Sequence, residues 1–298
     1  MFKRSIMSLV SAALLAAGVS LTALAQDAIP MAGKTVLITG STSGLGKEVA
    51  TRLGAMGAKV IVHGRNAERG QEVVDAINEA GPGTAVFYRA DLGSLDEVRT
   101  LAGEVRANHD ELSLLINNAG ILGTGDSGPV ESADGYELTF AVNYLSHFVL
   151  TRELLPLLEA GSPSRIVHVS SIAQQPVNFD TVMQVESYNM FGAYSQSKLA
   201  MILFSNSLAE QLDASEITSN SLHPATSMNT PMVQNSGMQP MATVEEGADA
   251  VMQLAVSSAL TGRTGLYFNQ MDETDANAQA YDAAARERLW ALSEELTQ

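Results

Sequence analysis

Tyr194 and Lys198 stand four residues apart, a spacing that puts both side chains on one face of a helix. An ammonium beside a phenol stabilises the phenolate and lowers a tyrosine pKa that starts near 10, so such a pair can exchange a proton near neutral pH. Taken alone, the pair also fits a solvated helix face. The second candidate is Thr39-Gly40-Ser41-Thr42-Ser43-Gly44-Leu45-Gly46. Glycines let a ligand approach the backbone, and a helix opening here would offer free N–H groups and a positive dipole end to a pyrophosphate. The spacing has one residue more than the six-residue dinucleotide fingerprint between its first two glycines. A Walker loop is excluded because Glu48 follows Gly46-Lys47, and a hydrolase elbow because Thr42 sits at the centre of Gly40–Gly44.

These residues need elements to position them. From Lys34 onward, short β-branched runs alternate with stretches of helical period, the pattern of repeated βαβ units. Seven strands are predicted: Thr35–Thr39, Lys59–His63, Ala85–Ala90, Leu112–Asn117, Arg165–Ser170, Thr218–Leu222 and Gly265–Phe268. Helices are predicted over Leu45–Met56, Ala67–Glu79, Leu95–Ala107, Leu138–Leu158, Tyr194–Leu212, Val244–Ser257 and Ala284–Leu296. Ser94 and Glu97 have capping-box spacing. The expected fold is α/β: a single-domain, Rossmann-type, doubly wound parallel sheet of about seven strands flanked by helices, spanning residues 26–298.

Composition narrows the function. The 298 residues carry 17 Lys plus Arg against 33 Asp plus Glu, a formal charge of −16, which argues against a nucleic-acid partner. Cysteine is absent, and the five histidines show no paired ligand spacing, so no metal is expected.

Across Lys34 to the carboxyl end, the chain resembles the short-chain dehydrogenases/reductases. The resemblance rests on the glycine motif, Asp91-Leu92, Asn117-Asn118-Ala119-Gly120, Asn143 in Val142-Asn143-Tyr144, Ser170-Ser171, and Tyr194 through Lys198, all in family order. The long gap from Ser171 to Tyr194, with Gly64-Arg65-Asn66 and the ending Leu289-Trp290-Ala291, is similar to the retinol-dehydrogenase-like subgroup. The resemblance implies that Tyr194 exchanges the proton with the carbonyl or hydroxyl oxygen while hydride passes to or from nicotinamide. It implies that Ser171 holds that oxygen, that Lys198 binds the nicotinamide ribose, and that Asn143 holds a water linking Lys198 to solvent. Strand alternation turns Ser170 to the other side. Gly40, Ser43, Gly44, Leu45, Gly46, Ala119, Gly120 and Pro224 would line the cofactor, Asp91 and Leu92 would meet adenine, and Asn117 would stabilise the sheet near the adenosine ribose. Each of Asp91 and Asn117 also has a plain structural reading, as strand terminator or partner of peptide groups.

The second strand ends in His63-Gly64-Arg65-Asn66, without the carboxylate that would accept hydrogen bonds from an NAD ribose. Arg65 can fork around a 2′-phosphate, so NADP is expected ahead of NAD. His223-Pro224-Ala225-Thr226 departs from the family's usual Pro-Gly, and the threonine expected five residues past the proline is Asn229, with Thr230 next. Met228, Met232, Met238 and Met241 follow, which reads as a pliable apolar lid. Substrate loops are placed near residues 172–193 and 224–243. The expected substrate is an apolar alcohol, aldehyde or ketone, and the alternative is a non-catalytic nucleotide-binding regulator on the same fold.

Lys3 and Arg4 precede a charge-free run from Ser5 to Ala25 that closes on Ala23-Leu24-Ala25, as a secretory signal peptide does. Cleavage after Ala25 would export the protein, to the periplasm in a bacterium. An uncleaved anchor over residues 1–25, which alone would bring membrane contact, and a cytoplasmic protein starting at Met31 are the alternatives. A homodimer is left open.

Overall fold

The computed structural model describes residues 28–123, 128–183 and 188–298. The signal-peptide reading and its cleavage site fall outside the described residues, as does part of the first substrate loop. Among the described residues no helix is long and apolar enough to cross a membrane.

The expected α/β architecture is present as one sheet of eight strands, ordered β3-β2-β1-β4-β5-β6-β7-β8. The strands are β1 Thr35–Ile38, β2 Lys59–Gly64, β3 Thr84–Arg89, β4 Leu114–Asn117, β5 Ser164–Val169, β6 Ile217–His223, β7 Tyr267–Asn269 and β8 Asp272–Thr274. All pairings are parallel except β7 with β8. Both faces of the parallel sheet are covered, which is why β1 and β4 read as unbroken apolar runs. One face carries α1 Gly44–Ala55, α2 Ala67–Ala80 and α7 Val244–Val256; the other carries α3 Leu95–Asn108, α4 Ser146–Ala160, α5 Met190–Gln211 and α8 Ala283–Leu296. A short α6, Pro231–Asn235, lies in the segment after β6.

The sheet changes direction between β1 and β4, where the chain leaves one strand toward each face. Ligands of open α/β sheets bind in the crevice at such a point, beyond the carboxyl ends of the strands. Every motif singled out in the sequence up to Ser171 lies on a strand exit or in the helix lead-in that follows.

Four expectations need correction. The eighth strand was missed because Asp272, Glu273 and Thr274 are all exposed and carry no apolar alternation. The helix predicted over Leu138–Leu158 is not uniform: Leu138–Phe140 is α-helical, Ala141–Leu145 is a π-helical turn, and α4 follows. The Ser94–Glu97 capping box is half made. Ser94 accepts from the Glu97 N–H, but the Glu97 carboxylate accepts from the Asp91 N–H at 2.8 Å instead of closing on Ser94. The complete box is at Thr243 and Glu246, opening α7. Finally, α5 begins at Met190 with Asn189 as its cap, so Tyr194 stands in the second turn and not at the start.

The site helices are braced from behind. The Tyr144 hydroxyl meets the Ser293 hydroxyl at 2.6 Å, and Trp290 of α8 packs on Phe148 of α4 and Phe204 of α5 with ring centroids 5.2 and 5.9 Å away. Aromatic contacts in these geometries add stabilisation beyond the area they bury.

Candidate active site

Thr39 ends β1 and organises the glycine turn. Its Oγ1 accepts the N–H groups of Asn118 and Ala119, each at 2.9 Å, which ties the exit of β4 to the exit of β1. Asn118 Nδ2 donates back to the Thr39 carbonyl at 2.7 Å. Gly40 and Gly44 have φ of +64° and +52°, backbone that a side chain would strain. A Cβ at Gly46 would sit 2.5 Å from both Asn118 Nδ2 and the Gly40 carbonyl. Behind the turn, buried His63 accepts the Gly40 N–H through Nδ1 at 3.1 Å. Burial holds its pKa down to about 4, so it is a neutral acceptor.

Ser43 caps α1 by backbone alone: its side chain makes no cap hydrogen bond, and the first turn holds no acidic residue. The free N–H groups and dipole of α1 therefore face the crevice without a competing carboxylate. Leu45 is buried in the core beneath. Thr230 lies over this turn, with its methyl 3.2 Å from where a Gly44 Cβ would be. It is Thr230, and not Asn229, that comes against the glycine turn. Asn229 is exposed and accepts from Gln234 Nε2 at 2.9 Å. Pro224 is buried at the exit of β6.

At the far end of the crevice, Arg65 and Asp91 come together, with Nη1 and Oδ2 3.8 Å apart, the arginine largely in solvent and the aspartate partly so. Such a pair contributes little to stability and leaves the guanidinium free to turn to a ligand. Asp91 also accepts the Gly93 N–H at 2.9 Å, and Leu92 is buried under it. Asn117 is wholly buried. Its Nδ2 donates to Thr151 Oγ1 at 2.9 Å and approaches His168 Nδ1 at 3.3 Å, the contacts of a residue that stabilises the sheet.

On the other side, Asn143 sits in the π-helical turn, fully buried. Its amide clamps Ile121, accepting the N–H at 2.7 Å and donating to the carbonyl at 3.0 Å, and donates to Ser197 Oγ at 2.9 Å. Lys198 Nζ donates to the Val169 carbonyl at 2.9 Å, and burial holds its pKa down to about 8. Gly120 separates these two: a Cβ there would lie 3.2 Å from both Asn143 Oδ1 and Lys198 Nζ. Glycine therefore keeps open the space beside the ammonium.

Ser170 and Ser171 part ways as alternation requires. Ser170 Oγ donates to the Lys198 carbonyl at 2.6 Å, a packing role. The Ser171 hydroxyl accepts the Ala173 N–H at 3.0 Å and is the group beside Tyr194 that holds its pKa back. Lys198 Nζ lies 5.7 Å from the Tyr194 ring centre. The direction of the tyrosine pKa corrects the expectation from spacing alone. Enclosure of its hydroxyl raises it, and the neighbouring Ser171 side chain is what opposes the rise. The lysine does not dominate because it is itself desolvated and bonded to a peptide carbonyl.

The arrangement unites, at one sheet edge, a dinucleotide-shaped crevice with a hydroxyl pair and a buried amine. A family model described as short chain dehydrogenase matches residues 34–241. The chain belongs to the short-chain dehydrogenases. It is 37% identical to human retinol dehydrogenase 14 over 292 residues, covering 89% of this chain and 86% of that one. It is 33% identical to bovine retinol dehydrogenase 12, covering 90% and 87%. A crystal structure of an uncharacterised protein from Mycobacterium paratuberculosis superposes with a TM-score of 0.75 at 30% identity, covering 92% of this chain and 96% of that one. A short-chain dehydrogenase of Shigella flexneri, complexed with NADP, gives 0.65 at 25% identity over 82% and 99%. This dehydrogenase is thus retinol-dehydrogenase-like, an NAD(P)-dependent oxidoreductase of CH–OH groups.

The dehydrogenase's crevice fits a dinucleotide: an uncapped helix start, turns that exclude a Cβ, and an open space beside Lys198. Sequence reasoning missed His147, which carries no motif of its own, and it passed over Ser197 and Thr230 without a role; all three become visible through the groups they touch.

Proposed function

We propose that the chain transfers hydride between NADP(H) and an apolar alcohol, aldehyde or ketone, with Tyr194 as the acid and base. The observation that carries this reading is the convergence of Ser171, Tyr194 and Lys198: the lysine lies one turn further along the same helix with its Nζ 5.7 Å from the tyrosine ring centre, and Ser171 is the neighbour that holds the tyrosine pKa back. Bound nicotinamide supplies or takes the hydride. Ser171 and Tyr194 together offer two hydroxyls to one substrate oxygen, and Tyr194 moves the proton at that atom. A tyrosine held above its ordinary pKa stays protonated at neutral pH, which suits donation to a carbonyl during reduction. Lys198 binds the ribose and returns a proton to Tyr194, and Asn143 connects Lys198 to water.

The apolar substrate is supported by side chains exposed beside these groups. Ile172, next to Ser171, is 54% exposed, and Phe191, whose ring centre is 6.5 Å from that of Tyr194, is 57% exposed. Met238 and Met241 are exposed in the segment after β6, whereas Met228 packs inward on Gly247. The names of the similar retinol dehydrogenases agree with a long apolar substrate.

NADP is supported by Arg65, exposed at the exit of β2 where no carboxylate of that strand competes. Arg65→Ala is expected to weaken NADPH binding by about 1–3 kcal/mol, the scale of a lost charged hydrogen bond, and to leave NADH almost unchanged. Fluorescence titration of both cofactors checks this, and equal weakening would assign Arg65 to adenine packing.

We also propose export with cleavage after Ala25, on the strength of the basic end, apolar centre and Ala-x-Ala ending. Mass spectrometry of the native protein is expected to find Gln26 first. A full-length chain in the membrane fraction, or a chain starting at Met31, would refute it.

A further inference from the structure

His147 is fully buried on α4, four residues after Asn143, and belongs to none of the sequence motifs. Its Nδ1 lies 3.1 Å from the Asn143 carbonyl oxygen and its Nε2 lies 2.9 Å from Thr39 Oγ1. The hydrogen positions follow from counting. Thr39 Oγ1 already accepts two N–H groups, from Asn118 and Ala119, so both of its lone pairs are used and it must donate. The Ile116 carbonyl is at 3.4 Å, the imidazole at 2.9 Å, so the proton goes to Nε2. An Nε2 that accepts leaves the ring proton on Nδ1, aimed at the Asn143 carbonyl.

That carbonyl matters because it fixes the backbone from which the Asn143 amide reaches the space beside Lys198. Both amide hydrogens are given to Ile121 and Ser197, and Oδ1 takes the Ile121 N–H. Oδ1 keeps one lone pair toward the space beside Lys198 Nζ, where a water can sit, and the backbone that aims it lies in a π-helical turn where the Ser146 N–H reaches back five residues, to Ala141. π-Turns inside helices recur at functional sites because they re-aim backbone groups.

We propose that His147 is a positioning residue for the proton supply: its Nδ1–H fixes the Asn143 carbonyl, and its Nε2 ties that carbonyl to the glycine turn through Thr39. This rests on the reading of Tyr194 and Lys198 as the acid-base pair. His147 does not carry the proton itself. The charged groups facing it are Lys198 and, when protonated, His63 and His168; burial and these neighbours hold its pKa down to about 3. It is a neutral donor throughout the working range. The result is one continuous hydrogen-bonded path from the cofactor turn to the relay, so the two are held in register.

Two substitutions separate the two ends of the ring. His147→Asn puts an amide where Nδ1 stands and loses the link to Thr39; His147→Gln reaches Thr39 and loses the donor to Asn143. With NADPH and decanal as probe, His147→Asn, which keeps a donor at the Nδ1 position, is expected to lose severalfold less kcat than His147→Gln. His147→Gln is expected to lose at least tenfold in kcat with NADPH affinity, read by fluorescence, within twofold. Its solvent deuterium isotope effect should rise and its effect with deuterated NADPH shrink, because proton supply has become slow. A purely structural role would lower kcat in both variants together with their melting temperatures, leave the isotope effects unchanged, and overturn the proposal. Independently of turnover, nitrogen-15 shifts of the full chain should show His147 protonated at Nδ1 and bare at Nε2; the opposite tautomer would also overturn it. Retained turnover in Tyr194→Phe would refute the acid-base reading instead, without altering the tautomer.

Discussion

Lys198→Ala is expected to lower kcat for aldehyde reduction by about 10²-fold or more and to weaken NADPH binding in the same variant, since one side chain serves both. General acid-base steps contribute about 10²–10⁴ in rate, and Lys198 supplies the proton that regenerates Tyr194. It is buried, bonded to the Val169 carbonyl and titrates near 8. Below that pH it is an ammonium and can give a proton; above it the amine is neutral. The rate of reduction by the wild-type enzyme should therefore fall as pH rises through about 8, and the variant's residual rate should lose that inflection. Steady-state rates from pH 6 to about 10, with parallel cofactor titrations, check both effects. Loss of rate with unchanged cofactor affinity would remove the ribose contact from the assignment.

Much of this site is legible in the sequence because its parts are local. The glycine turn, Asp91, the Asn117–Gly120 run and Ser171 each follow a strand whose apolar run marks where it ends, and in a parallel sheet those ends lie together. Tyr194 and Lys198 are linked by helical spacing alone. What was illegible depends on packing at a distance. A π-turn over Ala141–Leu145 leaves no mark on a 3.6-residue period read across twenty positions. His147 is one apolar-face histidine among five until its ring is seen between Thr39 and Asn143. The Tyr194 pKa was misjudged in direction because spacing reveals the lysine but not the enclosure that outweighs it. The Glu97 side chain had two N–H groups within reach, and the turn at Asp91-Leu92-Gly93 decided which.

Tyr194→Phe is expected to lower turnover by about 10²–10⁴-fold while leaving NADPH affinity nearly unchanged, because the ring stays in place and only the hydroxyl that gives the proton is removed. The fold should be unaffected. The ring keeps its contact with Phe191, and Ser171 retains the Ala173 N–H. The most direct test of the account follows the hydride and the proton in one experiment. Enzyme, decanal and NADPH carrying deuterium at both positions of nicotinamide C4 are mixed in a single turnover, with wild type and Tyr194→Phe side by side. The wild type should give decanol with one deuterium at C1 for each NADPH oxidised, and the variant should bind the same NADPH and give almost none. Bound NADPH with no deuterium transferred by the wild type would mark a nucleotide-binding protein without this chemistry, and transfer by the variant above about a tenth of the wild-type rate would take the acid-base role away from Tyr194.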